Sequence, residues 1–313
     1  MNNREIMILE SFEFSNSAKE LLKKKFKLRT KFDPSKSYTN VIAIFVRLKY
    51  QIDSEFLNLF PNVKYILSPT TGINHIDLKY ISSKKISLIS LTNEKRFLKT
   101  IPATAEFTWG LIIALSRNIV ASHSATINNI WERDFFKGNN LKGKKISFVG
   151  YGRIAKLMHK YAKAFDMDVQ AYDPYVHKFC KGVKVFSSIE KMFSQSDIVS
   201  VNSTLSSETE NLINKKNMKF LPKTSILINT SRGEILNHND LLEALEKQTI
   251  KGAAIDVLPE EQKENNKVKK DLISYAKNNS NLIITPHLGG ATYESMSDTE
   301  NFITKKFLKK ASE

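Results

Sequence analysis

Residues 146–155 read ISFVGYGRIA, and this segment narrows the fold more than any other in the chain. An apolar run from Ile146 to Val149 is followed at once by G-x-G-x-x-A and then by helical spacing over 153–165. Gly150 permits a tight turn. Gly152 lets the backbone approach a pyrophosphate at the helix N-terminus, and Ala155 is small enough for helix and strand to pack closely. Such a turn alone is a weak signal, because glycine turns are common. Here a second strand, VQAY (169–172), ends at Asp173, 21 residues beyond Gly152, where a carboxylate accepts hydrogen bonds from a ribose diol. Strand, turn, helix, strand and acid in register predict a dinucleotide-binding βαβ unit.

The rest of the chain continues that grammar. Short β-branched runs alternate with amphipathic stretches, the signature of βα units and parallel sheets. Strands are expected at 6–9, 41–46, 65–67 and 86–91, with helices at 16–26 and 53–60, the second capped by Asp53. A long apolar helix is expected over 103–118, then a polar stretch containing Trp131. From Lys145 onward strands are expected near 146–149, 169–172, 197–201, 225–229, 253–257 and 282–285, with helices near 153–165, 188–193 and 239–247. The Lys/Asn-rich segment 262–281 reads as a short helix with exposed loops and no chemistry, and 294–310 as a final amphipathic helix. The length, 313 residues, suits two successive α/β domains of about 150 residues each.

Composition excludes several classes. With 41% hydrophobic and 26% charged residues the chain buries a sizeable core and is not disordered. The single cysteine, Cys180, forms no internal disulfide and suits a reducing compartment. The best apolar run, Phe107 to Leu115, is half of the ~20 residues that a membrane span needs, and the start, MNNREIMILE, has no signal pattern. A cytoplasmic protein without membrane partners is expected. The net charge of +16 invites a nucleic-acid reading, yet only eight of the 48 basic residues are arginine and the lysines are spread evenly. No specific nucleic-acid partner is expected, and no Cys/His spacing suggests a metal.

An ordered series of segments resembles the D-isomer-specific 2-hydroxyacid dehydrogenase family, which includes phosphoglycerate dehydrogenase. TTGINHID (70–77) resembles its substrate loop and ATAEFTWGLIIALSRNI (103–119) its inter-domain helix. LKGKKISFVGYGRIAK (141–156) resembles the cofactor fingerprint, INTSRGEIL (228–236) the arginine motif, and GAAIDVLPEE (252–261) and TPHLGGAT (285–292) complete the series. The chain departs from the family pattern at Thr204, usually Pro, at Leu258, usually Phe, and at Gln262, usually Pro.

The resemblance implies two doubly wound parallel-sheet domains. A Rossmann cofactor domain (99–288) would be inserted into a flavodoxin-like substrate domain (1–98 plus 289–313). It implies NAD as cofactor, held by Thr104, Gly150, Gly152, Arg153, Ile154, Asp173, Thr204, Thr209, Thr230, Ser231, Asp256, Gly289 and Gly290. It further implies substrate contacts from Arg47, Thr71 and Gly72, the catalytic trio Arg232, Glu261 and His287, and a homodimer. Oxidising a 2-hydroxy acid requires a base for the hydroxyl proton, a cation for the carboxylate and a group that keeps the base poised. His287 suits the first role and Arg232, with its planar fork, the second; Glu261 suits the third by fixing the tautomer of His287. Singly, His287 also reads as a satisfied core or loop residue, Glu261 as a surface acid and Arg232 as a cap or surface contact. Arg47 offers an extra cation for a substrate phosphate, as in 3-phosphoglycerate, and hydroxypyruvate/glycerate is the unphosphorylated counterpart. Formate dehydrogenase shares the fold but pairs its histidine with Gln and uses an Asn near the inter-domain helix, and TIPATAE has no Asn. An NADH-sensing binding module without turnover is the alternative of another class.

Overall fold

The computed structural model describes residues 4–263 and 265–312. It divides into two compact units, Met1–Ile101 with Ala291–Glu313, and Pro102–Gly290. These bounds lie a few residues from the division at 98/99 and 288/289 expected from the motifs.

The first unit contains β1 (Glu5–Ile8), β2 (Lys27–Arg29), β3 (Val41–Phe45), β4 (Tyr65–Ser68) and β5 (Ser87–Ser90). They pair in parallel in the order β2-β1-β3-β4-β5, the flavodoxin-like arrangement. Alternate side chains serve opposite faces. Ile6, Ile8, Ala43, Phe45, Leu67 and Ile89 pack with Ile303 and Phe307 of the final helix, Tyr293–Lys310. Met7, Val41, Ile44 and Ile66 pack on the other side with Leu57 and Phe60. Covering both faces of a parallel sheet is what makes its strands read as continuous apolar runs. Asp53 does cap the short helix Ser54–Leu57, its carboxylate accepting Phe56 N–H at 2.9 Å.

The second unit contains β6 (Lys145–Val149), β7 (Asp168–Tyr172), β8 (Val183–Val185), β9 (Ile198–Val201), β10 (Ile226–Asn229), β11 (Gly252–Ile255) and β12 (Leu282–Ile284). The order β12-β11-β10-β9-β6-β7-β8, all parallel, is the Rossmann order with one added edge strand. The strand order reverses between β6 and β9, and ligands bind beyond the carboxyl ends of strands at such a switch point. The apolar helix Ala103–Ser116 packs on one face of this sheet, with Trp109, Leu111, Ile112 and Leu115 buried beside Ala155, Met158 and Ala162 of helix Arg153–Ala164. No helix among the described residues is long and apolar enough to cross a membrane.

Candidate active site

The glycine turn follows β6. Gly150 sits at φ +90°, and a Cβ there would lie 2.8 Å from Ser203 N and 2.9 Å from Asn202 C, so the turn presses on the chain leaving β9. Gly152 caps helix Arg153–Ala164, and a Cβ there would project into open space, with no atom within 4 Å. That vacant direction, at a helix N-terminus whose first N–H groups lack intrahelical partners, fits a pyrophosphate. Tyr151, between the glycines, turns inward; it is fully buried, with Oη 2.6 Å from His159 Nδ1. The Asp173 carboxylate is fastened to the same turn. Oδ2 accepts Tyr151 N–H at 2.7 Å and Oδ1 accepts Tyr175 N–H at 3.0 Å, and each oxygen keeps a lone pair for a ribose hydroxyl. Arg153 opens the helix, with burial lowering its guanidinium below the ordinary arginine value.

Three further loops meet at the carboxyl edge of the same sheet. Arg232 follows β10, Glu261 follows β11 and His287 follows β12. His287 Nδ1 lies 2.6 Å from Glu261 Oε1, both side chains 24% exposed. A proton on Nδ1 bonds the carboxylate, which leaves Nε2 as the ring nitrogen that can exchange a proton with a ligand. Burial raises the Glu261 carboxyl, but the hydrogen bond and charge of His287, the Leu258 N–H and the Arg232 charge more than reverse this. The carboxyl therefore stays below its ordinary value. Burial lowers the Arg232 guanidinium, and the charges of Glu234 and Glu261 oppose that shift. The Arg232 and Glu261 loops touch through Gly233, where a Cβ would lie 2.1 Å from Leu258 C and 2.3 Å from Pro259 N.

Residues 109–289 match the family described as D-isomer specific 2-hydroxyacid dehydrogenase, NAD binding domain. The chain belongs to that family. A Staphylococcus haemolyticus protein whose name places it among the 2-hydroxyacid dehydrogenases is 31% identical over 274 residues, 86% of this chain and 82% of that one. The D-lactate dehydrogenase of Aquifex aeolicus, solved with NAD and lactic acid, shares the fold at TM-score 0.84 and 21% identity, over 99% of this chain and 96% of that one. The NAD-dependent formate dehydrogenase of Staphylococcus aureus, solved with NAD, does so at TM-score 0.82 and 22% identity, over 98% and 95%. These two likenesses show the fold alone. As a member of the 2-hydroxyacid dehydrogenase family with its NAD-binding domain, the chain is an NAD-dependent oxidoreductase of that type.

Several residues expected at the dehydrogenase site use their polar atoms within the chain. Asp256, expected to help hold the cofactor, is 2% exposed. It accepts Thr285 Oγ1 at 2.6 Å, Leu288 N at 2.8 Å and Gly289 N at 2.8 Å, anchoring the loop that carries His287. Burial raises its carboxyl and those bonds offset only part of the rise. A Cβ on Gly289 would lie 3.1 Å from Asp256 Oδ2 and 3.4 Å from Thr104 Cγ2, whereas one on Gly290 would meet nothing within 4 Å. Thr230 Oγ1 is 2.7 Å from Thr108 Oγ1, which also donates to the Thr104 carbonyl at 2.6 Å. Thr209 Oγ1 donates to the Thr204 carbonyl at 2.7 Å, and Ser231 Oγ donates to Asn229 Oδ1 at 2.8 Å. Ile154 is half-buried against the core.

In the other unit, Thr71 and Gly72 lie in the loop after β4, their carbonyls accepting Thr92 Oγ1 at 3.2 Å and Thr70 Oγ1 at 2.8 Å. Arg47, expected to contact substrate, has its guanidinium paired with the fully buried Glu300 of the same unit, Nε donating at 3.0 Å.

Two positioning residues escaped the sequence reading. Asn229, fully buried, donates to the Arg232 carbonyl at 2.9 Å and accepts Ser231 N at 3.1 Å, which shapes the arginine loop. Asn266, in a segment expected to hold no chemistry, donates to the Pro259 carbonyl at 2.7 Å and caps helix Lys267–Asn278, thereby holding the Glu261 loop. Both were hidden because an asparagine at the end of a strand or loop reads only as a local cap.

Proposed function

We propose that the chain interconverts a small, unphosphorylated D-2-hydroxy acid and its 2-keto acid, with Arg232, Glu261 and His287 as the catalytic groups. The 2.6 Å contact of His287 Nδ1 with Glu261, beside Arg232, carries the reading. NAD, when bound, supplies the hydride acceptor. Arg232 holds the substrate carboxylate through its planar fork. His287 Nε2 takes the hydroxyl proton in oxidation and returns it in reduction, while Glu261 balances the imidazolium charge. Reduction consumes a proton and therefore favours lower pH than oxidation. The Arg47–Glu300 pairing argues against a phosphate requirement, so hydroxypyruvate is preferred to its 3-phosphorylated form. A cytoplasmic setting, which supplies NAD(H) and keeps the exposed Cys180 thiol reduced, belongs to the same proposal.

The test is kcat/KM with NADH on pyruvate, glyoxylate, hydroxypyruvate and 3-phosphohydroxypyruvate. Turnover on an unphosphorylated acid, without a gain from the phosphate, is expected. Tight NADH binding without turnover on any of them would favour the sensing module instead.

Assembly belongs to the same proposal. Helix Ala103–Ser116 is buried within its own unit. Apolar surface is presented by the next segment. Helix Ile119–Ile127 has no buried residue, and Ile127, Ile130, Trp131 and Phe135 beyond or at its end are 47–85% exposed. A second copy of the chain covering residues 119–135 removes that surface from water.

A further inference from the structure

β7 and β9 flank β6, so the loops that leave them stand on either side of the glycine turn, with roots about 10 Å apart. One hydrogen bond spans that gap, from Tyr175 Oη to the Glu208 carboxylate. Both ends are set by their own loops. Asp173 Oδ1 accepts Tyr175 N–H at 3.0 Å, and Thr209 Oγ1, next to Glu208, accepts Ser206 N–H at 2.8 Å and donates to the Thr204 carbonyl at 2.7 Å. Two carboxylates, Asp173 and Glu208, thus stand near one phenol, and both raise its pKa, Glu208 more strongly. In a chain of net charge +16, neither carboxylate is ion-paired with a lysine or arginine among the described residues. Their charges are left to act on whatever occupies the site.

We propose that Glu208 is a specificity-determining carboxylate of the cofactor site, held by Tyr175 so that it opposes a 2′-phosphate on the adenosine ribose. The inference rests on the NAD-binding reading of this turn and adds a second charge to that of Asp173. Asp173 accepts the ribose hydroxyls directly. Glu208 acts through space, since a 2′-phosphate brings a dianion toward a carboxylate that has no countercharge. The clasp itself joins two exposed groups, Tyr175 being 68% exposed, and such bonds are weak.

Binding of NADH and NADPH, followed by nicotinamide fluorescence, tests this on wild type, Glu208→Gln and Tyr175→Phe, with thermal melting as a check on folding. Glu208→Gln is expected to raise the ratio of NADPH to NADH affinity about fivefold, and added salt should shrink the gain because the charge is exposed. Tyr175→Phe frees the carboxylate without removing it and should raise the ratio about twofold, with no further gain when combined with Glu208→Gln. An unchanged ratio in Glu208→Gln, or a change that salt does not affect, overturns the proposal. Failure of wild type to bind NADH is a different result, which removes the cofactor reading beneath it.

Discussion

His287 holds a left-handed backbone, φ +58°, which side chains other than glycine seldom occupy. Its N–H donates to the Asp256 carbonyl at 2.9 Å, and the Asp256 carboxylate fastens the two residues that follow. The local strain is thereby overdetermined, as is common where a side chain must be aimed. Glu261→Gln keeps an acceptor for Nδ1 but removes the balancing charge. It should lower kcat about a hundredfold with little change in KM, measured by NADH oxidation with the best keto acid. The depressed Glu261 carboxyl also sets a sign. Its stabilising pairing is present above the ordinary carboxylate value and is lost as pH falls through the lower folded value.

His238 carries the opposite burden. It is 4% exposed, and burial drops its pKa to about 4 from 6.5, against weaker opposing effects of the Val257 and Leu236 carbonyls. The unfolded chain therefore binds the extra proton between those values, and stability falls as pH drops from 6.5 toward 4. The full effect is about 3 kcal/mol. Urea midpoints across this range should show a steeper loss in wild type than in His238→Gln. Arg232, Glu261 and His287 were legible as candidates because each stands in a dense motif. Asn229 and Asn266 were not, since their roles come from bonds to loops that only the fold brings near.

At the scale of elements, the tightest join in the site is backbone on backbone. Gly233→Ala would push a methyl into the Leu258–Pro259 peptide, where no side chain can yield. We expect a loss of about 1–3 kcal/mol in denaturant unfolding and a fall in kcat as the Arg232 and Glu261 loops part. Most strands and long helices were readable because their apolar runs are buried on both faces. Two strands were not. β2 and β8 lie at sheet edges, read KLR and VKV, and expose at least one side chain in each pattern, so they lack an apolar signature. Helix Ile119–Ile127 has no such signature either, since it lies in the polar stretch before Trp131 and has no buried residue. Helix Ser54–Leu57 is shorter than the 53–60 expected, since the apolar Phe60 reaches the core from the turn that follows it.

At the scale of the molecule, the exposed apolar segment 119–135 predicts a dimer. Sedimentation at micromolar concentration should give twice the chain mass of 35.7 kDa, and Trp131→Asp with Phe135→Asp should return it to the monomer value. Recovery of wild-type mass in that double variant would reject this surface as the contact. The order of the two units along the chain has another outcome. Ile303 and Phe307 complete a core whose other members include Ile6, Ile8, Phe14 and Leu22. On the ribosome, the first hundred residues emerge long before the helix that closes their sheet. The inserted unit, Pro102–Gly290, has its whole hydrophobic interior available earlier. Domains generally consolidate as they emerge, and here the strands Glu5–Ile8 to Ser87–Ser90 leave the ribosome well before the helix that packs on their sheet.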